Sequence, residues 1–270
     1  MNSRLARRYV ALAGFACLVA AIAGSVAQAQ TMAPSPSLQA ISASMRTIYE
    51  WDWQRGVDPR MGVQANPGDI SVIDDPVRHG HKVMRATIDR GENFSHIANG
   101  VARAEVLFPA PVRFAQGGDY LIEWSTYLAP NFAFDSKQLM IITQIHQGSR
   151  KGGPAVALTL LGTRYAISEH GGAEHKNVSA AQWLCCADTD RGKWVRWALH
   201  YVPDETGKHA VAELYKNDAL VFTATHAANA YPDAQDAYFK LGLYKPDWYL
   251  QPTDVSSSTV LYGAVRISQR

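Results

Sequence analysis

An all-β sandwich or barrel is the fold class this 270-residue sequence predicts, and three observations predict it. Aromatic and β-branched runs of roughly six to ten residues recur along the chain, the length of ordinary strands. Gly, Pro, Asn and Asp punctuate them. Sustained helical periodicity is missing outside a mildly helical stretch at Leu38–Ile48.

Taken in order, the chain begins as an export leader. Arg4, Arg7 and Arg8 form a positive segment, an apolar run covers Tyr9 to Val26, and Ala27-Gln28-Ala29 supplies small residues at the cleavage positions. Cleavage after Ala29 is expected, with a secreted or periplasmic location. Residues 30–45, with a Pro/Ser stretch at 31–37, read as a flexible lead-in, and one domain is expected over 46–270. Its strands are expected at Tyr120–Tyr127, Leu139–Gln147, Val156–Ile167, Trp194–Val202, Val211–Lys216, Leu220–Thr225, Tyr238–Tyr244 and Thr259–Ile267. Asn217-Asp218 suits a tight hairpin between two of them.

Charge excludes some partners. The leader carries three arginines and no acids, so 23 basic and 24 acidic residues remain, a net charge of −1. No global field draws nucleic acid or anionic membrane, so a polyanion would have to be met by a local basic cluster. Cys17 leaves with the leader, and the neighbours Cys185 and Cys186 read as two loop cysteines. A monomer is expected.

Three strands carry polar chemistry on one face, because alternate side chains of a strand point to opposite sides. Phe239, Leu241 and Leu243 make a core face, which leaves Tyr238, Lys240, Gly242 and Tyr244 on the other. In Leu139–Gln147 the even positions change from Met140 and Ile142 to Gln144 and His146. Arg103 and Glu105 share a face of a third strand. These are the residue types needed to abstract a proton next to a carboxylate. Arg, Gln or Lys stabilise the charge that builds on the acid, a neutral His accepts the proton, and a Tyr protonates the leaving oxygen. A glycosidase would instead need two opposed carboxylates, for which Glu105 and Glu123 are the nearest candidates. A non-catalytic carbohydrate-binding sandwich would keep the aromatic and basic groups without an aligned acid and base.

Arg103-Ala104-Glu105-Val106, Gln144-Ile145-His146 and Tyr238-Phe239-Lys240-Leu241-Gly242-Leu243-Tyr244 resemble, in order and spacing, the signature strands of jelly-roll alginate lyases. Arg78-His79-Gly80, Trp124-Ser125, Leu128-Ala129-Pro130 and Gly192-Lys193-Trp194 resemble the heparin-lyase-I-like group, which includes glucuronan lyases. The resemblance runs from about Trp51 to Ile267. It implies a concanavalin-like jelly roll of two antiparallel sheets with a concave substrate groove, and β-elimination on an acidic polysaccharide. It makes His146 the base and Tyr244 the acid, with Gln144 and Arg103 neutralising the carboxylate and Lys240 binding substrate. Lys245-Pro246 replaces the Asn-Gln that follows the last Tyr in alginate lyases, and Val106 replaces a Leu. Heparin lyases bind calcium, but no calcium-loop spacing is present and Asp74-Asp75 reads as a turn, so no cofactor is expected, with calcium as the alternative that the resemblance leaves open.

Further substrate contacts are expected from Tyr238, Glu105, Lys245 and Trp248, the last in a Pro/Asp loop suited to stacking on a sugar. Arg85, Arg90, Arg164 and Arg196 are other candidates to line a cleft. Trp124 and Trp197 read as core, and Trp194 as a further sugar-stacking candidate. His170, Glu174 and His175 sit in one loop and make a poor metal set.

Overall fold

The computed structural model describes residues 37–148, 152–173, 178–232 and 236–270. A short helix, α1 (Leu38–Ala43), precedes sixteen strands among the described residues. They are β1 (Arg46–Trp51), β2 (Gly62–Gln64), β3 (Ile70–Asp74), β4 (Lys82–Asp89), β5 (Arg103–Leu107), β6 (Tyr120–Tyr127), β7 (Met140–His146) and β8 (Val156–Leu161). The second half holds β9 (Arg164–His170), β10 (Val178–Leu184), β11 (Trp194–Val202), β12 (Val211–Lys216), β13 (Ala219–Thr225), β14 (Tyr238–Tyr244), β15 (Ser257–Tyr262) and β16 (Val265–Gln269).

All pairings are antiparallel and build two sheets. One has nine strands, ordered β13-β12-β11-β6-β15-β4-β3, with β16 also on β6 and β1 on β16. The other has seven, ordered β10-β9-β8-β7-β14-β5-β2. Their facing surfaces form the core. Phe239, Leu241 and Leu243 are wholly buried there, as the alternation predicts, and each such side chain contributes roughly 1.5–3 kcal/mol. Trp124 and Trp197 are core residues, and the Trp197 indole donates to Thr126 Oγ1 at 2.9 Å.

Local chemistry refines the expected strands. The run from Val156 to Ile167 folds back on itself as β8 and β9, with Gly162 in the turn at φ +55°. The run from Thr259 to Ile267 breaks at Gly263 into β15 and β16, where a side chain would collide with the Ser125 hydroxyl. Asn217 and Asp218 both have positive φ, 50° and 70°, as a two-residue hairpin of this hand requires. The helical stretch is shorter than expected, because β1 takes over at Arg46. Within the segment read as a lead-in, Ser37 caps α1, and Ile41 is buried against Leu121, Ala198 and Tyr215. Cys185 and Cys186 lie in the connection that follows β10.

Candidate active site

The solvent-side face of the seven-stranded sheet gathers the three polar strands. β14 lies between β7 and β5, so cross-strand pairing sets Tyr238 opposite His146, Lys240 opposite Gln144, Gly242 opposite Glu105 and Tyr244 opposite Arg103. β2 adds Gln64 opposite Glu105. Side chains this close interact directly.

The parity change in β7 is an irregularity of register. Ile141 pairs with Thr159 and Thr143 with Leu158, so β7 carries one more residue than β8 at this point. Ile142 is in the core, and Thr143 stands opposite the core residues Leu158 and Leu241. Beyond them Gln144 and His146 return to the solvent side. β14 has its own shift between Leu241 and Tyr244. Gly242 serves this geometry rather than leaving room for a ligand: at φ +135° its missing side chain would strike the Ala104 carbonyl. Tyr262, from the opposite sheet, brings its hydroxyl 2.8 Å from the Ile142 carbonyl and 3.0 Å from that of Gly242.

Glu105 is the hub of the site. It is buried, and it accepts from Gln144 Nε2 at 2.5 Å, Lys240 Nζ at 2.5 Å and Arg103 Nη1 at 3.3 Å. A carboxylate so occupied organises the donors around it. Gln64 Oε1 accepts from Arg103 and Lys240, both at 3.1 Å, and Asn99 accepts from Arg103 Nη2. Arg103 Nε donates to the Val101 carbonyl at 3.4 Å, so by the hydrogens each group carries Arg103, Lys240 and Gln144 each retain one N–H with no acceptor among the described residues. Two cations face one anion, so the cluster keeps a positive charge. Burial lowers the Lys240 pKa, although Glu105 opposes it.

His146 and Tyr244 share this face but are not neighbours. The imidazole stacks on Tyr238, with ring centroids 5.4 Å apart, whereas the Arg103 guanidinium lies 4.4 Å from the centroid of the Tyr244 ring. The Glu105 cluster stands between them. His146 Nδ1 lies 2.6 Å from the Gln147 carbonyl, which can only accept, so Nδ1 carries the proton and the Nε2 lone pair stays open. Burial, helped by Lys240, lowers its pKa and favours the neutral ring. Burial also raises the Tyr244 and Tyr238 pKa values, which keeps both phenols protonated.

Other expected contacts lie elsewhere. Trp248 is 0% exposed, with its indole donating to Thr253 Oγ1 at 3.1 Å, so it is a core anchor of its loop and not a sugar platform. Lys245 closes an ion pair with Asp135 at 2.5 Å in which one cation meets one anion, so unlike the Glu105 cluster it carries no surplus charge. Glu123 belongs to the nine-stranded sheet and forks with Arg266 at 2.7 and 2.9 Å. Among the strand positions facing solvent around the cluster, Glu105 is the sole carboxylate, so the opposed pair of a glycosidase is not formed there. Arg196 lines a cavity of about 250 Å³ on the nine-stranded sheet, where it pairs with Asp218. Arg85 is on β4 of that sheet, Arg90 reaches the Gln251 carbonyl at 3.3 Å, and the Trp194 indole donates to Asp75 at 3.0 Å. Asp75 also pairs with Arg78 and Asp74 with Lys82. His170 is buried, whereas Glu174 and His175 lie outside the described residues. Gln64 and Asn99 were missed by sequence reasoning, since neither belongs to an alternating run that marks it.

The polysaccharide lyase family profile matches residues 44–266. A search of curated proteins returns no sequence relative. Among solved structures the fold is similar to an endo-β-1,4-glucuronan lyase from the fungus Trichoderma reesei, at 16% identity and TM-score 0.66, covering 83% of this chain and 96% of that one. It is also similar to the alginate lyase Aly36B, solved as a mutant with an alginate trisaccharide, at 11% identity, TM-score 0.52 and coverage of 82% and 97%. At these identities the structural likeness speaks for the jelly-roll fold alone. With the profile spanning most of its length, the chain belongs to the polysaccharide lyase family.

Proposed function

We propose that this lyase binds a uronate-containing polymer, glucuronan or alginate in class, across the solvent-side face of its seven-stranded sheet and cleaves it by β-elimination. The observation that carries the reading is the Glu105 cluster: two cations and an amide organised by one carboxylate, with a surplus positive charge and an N–H on each donor that no described residue accepts. Those N–H groups receive the uronate carboxylate and stabilise the charge that grows on it as C5 loses its proton. His146 Nε2 takes that proton. The C5–H electron pair becomes the C4=C5 double bond, the C4–O4 bond breaks, and the Tyr244 phenol protonates the departing oxygen. An unsaturated uronate remains at the new chain end. A second reading gives that last proton transfer to Tyr238, because its ring stacks on His146. The names of the two similar structures, a glucuronan lyase and an alginate lyase, support the substrate class. Export across the membrane, with cleavage after Ala29, belongs to the same proposal, since a polymer of this size is met outside the cell.

The test is the ultraviolet absorbance of the unsaturated uronate, followed with purified protein on glucuronan, alginate, heparin and hyaluronan. A rise with one polymer that His146→Ala abolishes establishes elimination and names the substrate. Whichever of Tyr244→Phe and Tyr238→Phe also abolishes it identifies the acid. Binding of a polymer with no absorbance rise on any of the four would replace the lyase reading with a carbohydrate-binding one.

A further inference from the structure

The sheet that carries the Glu105 cluster extends past β7 through β8 and β9 to an edge at β10, and its solvent-side positions there have no role in the chemistry above. Pairing runs Tyr244 to Ile141, Ile141 to Thr159, Thr159 to Ala166 and Ala166 to Trp183. No long or charged side chain stands along this row between Tyr244 and Trp183. In the neighbouring row, Gln144 is followed by Ala157 and Ser168, again short. A shelf therefore leads away from the catalytic cluster.

At its far end the shelf stops being bland. Trp183 is 48% exposed, while Leu184 beside it is buried in the core, so the indole stands on the solvent side. Arg164 occupies the diagonal position on β9, exposed, with its guanidinium 4.9 Å from the centroid of the Trp183 ring. Among the described residues no carboxylate lies within ion-pair distance of Arg164, in contrast to Arg196 and Arg266 on the other sheet, which are paired. An indole exposed to water beside an unneutralised guanidinium is costly to display and matches two features of a uronate ring: an apolar face and a carboxylate.

We infer that Arg164 and Trp183 form a distal uronate subsite, which holds the polymer several sugar rings from the bond being cut. The inference rests on the elimination reading for the catalytic cluster, but the subsite itself is a matter of binding. Four strand spacings separate Trp183 from Tyr244, about 19 Å at ~4.8 Å each, farther than one ring spans. Arg164 takes the carboxylate, and Trp183 fixes the guanidinium from one side while offering its exposed surface to the ring. A long chain engages both places at once, whereas a short oligomer bound at the cluster does not reach. The subsite thus raises the affinity for polymer by linking two weak contacts.

Arg164→Ala and Trp183→Ala test it on size-fractionated oligomers and intact polymer. The expected result is a KM for polymer raised about tenfold, with kcat unchanged, and disaccharide-to-trisaccharide kinetics equal to wild type. Arg164→Lys, which keeps the charge but loses the planar fork, should fall in between. Polymer KM values equal to wild type in both alanine variants would overturn the subsite, as would equal losses on short and long substrates. Affinity electrophoresis of the same variants in glucuronan or alginate gels separates this inference from the elimination reading. If wild type binds polymer without cleaving it, weaker retention of both variants still supports the subsite, and unchanged retention removes it.

Discussion

Lys240–Glu105 and Lys245–Asp135 are buried ion pairs of the same length, 2.5 Å, and their lysines stand five residues apart on the chain. The surroundings of the carboxylates separate them. Asp135 accepts from Lys245 and Thr253 on one oxygen, and from the backbone N–H groups of Lys137, Gln138 and Asp254 on the other. One cation meets one anion, and the remaining acceptor capacity goes to the loop itself. Burial raises the Asp135 pKa, but Lys245 and these donors outweigh it and leave it low. Glu105 instead meets two cations and an amide. A pair balanced one to one holds a loop in place, whereas a cluster of two cations on one carboxylate keeps a positive charge for another anion.

Breaking the balanced pair should have the largest effect. Lys245→Ala leaves Asp135 buried without its counter-charge, which typically costs about 3–5 kcal/mol. Chemical denaturation should show that loss, while KM for polymer in the folded protein stays at the wild-type value. A stable variant with raised KM would instead return Lys245 to the substrate. Arg103→Ala is the counterpart on the unbalanced side. Glu105 keeps Lys240 and Gln144, so the fold should survive with its melting temperature changed by only a few degrees. The carboxylate stabilisation is lost, and kcat should fall about 10²- to 10³-fold. An unchanged kcat would remove the cluster from the chemistry.

The same comparison explains how far the sequence could be read. Alternation alone separated Phe239, Leu241 and Leu243 from Tyr238, Lys240 and Tyr244, because a strand enforces its period locally. It also brought Arg103, Gln144 and Lys240 onto candidate faces of their strands. It was silent on Gln64, which reaches the cluster through β2, a three-residue strand too short to show a pattern. It misjudged Lys245 and Trp248 for a related reason. Their partners Asp135, Thr253 and Val255 lie in loops, and a basic or aromatic residue in a Pro/Asp loop looks exposed until the loop is seen to fold inward. The parity change at Gln144 was visible in the sequence, but its cause was not, since register depends on the neighbouring strands.

Tyr262 tests that cause. Its hydroxyl meets the two carbonyls at the register shift that returns Gln144 to the solvent side. Tyr262→Phe preserves the core volume and removes this contact, so the stability cost should be about 1 kcal/mol. As a positioning residue it should also affect kcat, by about tenfold, with KM near the wild-type value. A variant that loses stability but keeps full kcat would show that the ladder holds the shift unaided.

The smallest effect is expected on the face of the nine-stranded sheet beneath α1, where His200 offers a third kind of buried charge. Its Nε2 meets Asp119 at 2.9 Å and its Nδ1 meets Glu213 at 3.0 Å, while Arg270 also pairs with Asp119 and the Tyr215 hydroxyl donates to Glu213. Burial pulls the His200 pKa down, but the two carboxylates outweigh it and hold the pKa above the usual histidine value. A raised folded pKa means that the stabilisation is complete below the unfolded value, about 6.5, and is lost as pH rises through the folded one. Melting curves of wild type and His200→Gln across this range should therefore converge as the pH rises, with wild type the more stable on the acid side. Because His200 lies in the other sheet from the Glu105 cluster, the pH profile of kcat should be identical in the two proteins. A gap between the melting curves that widens with pH would mean that His200 is neutral in the fold, and that its two carboxylates are balanced by Arg270 and the Tyr215 hydroxyl instead.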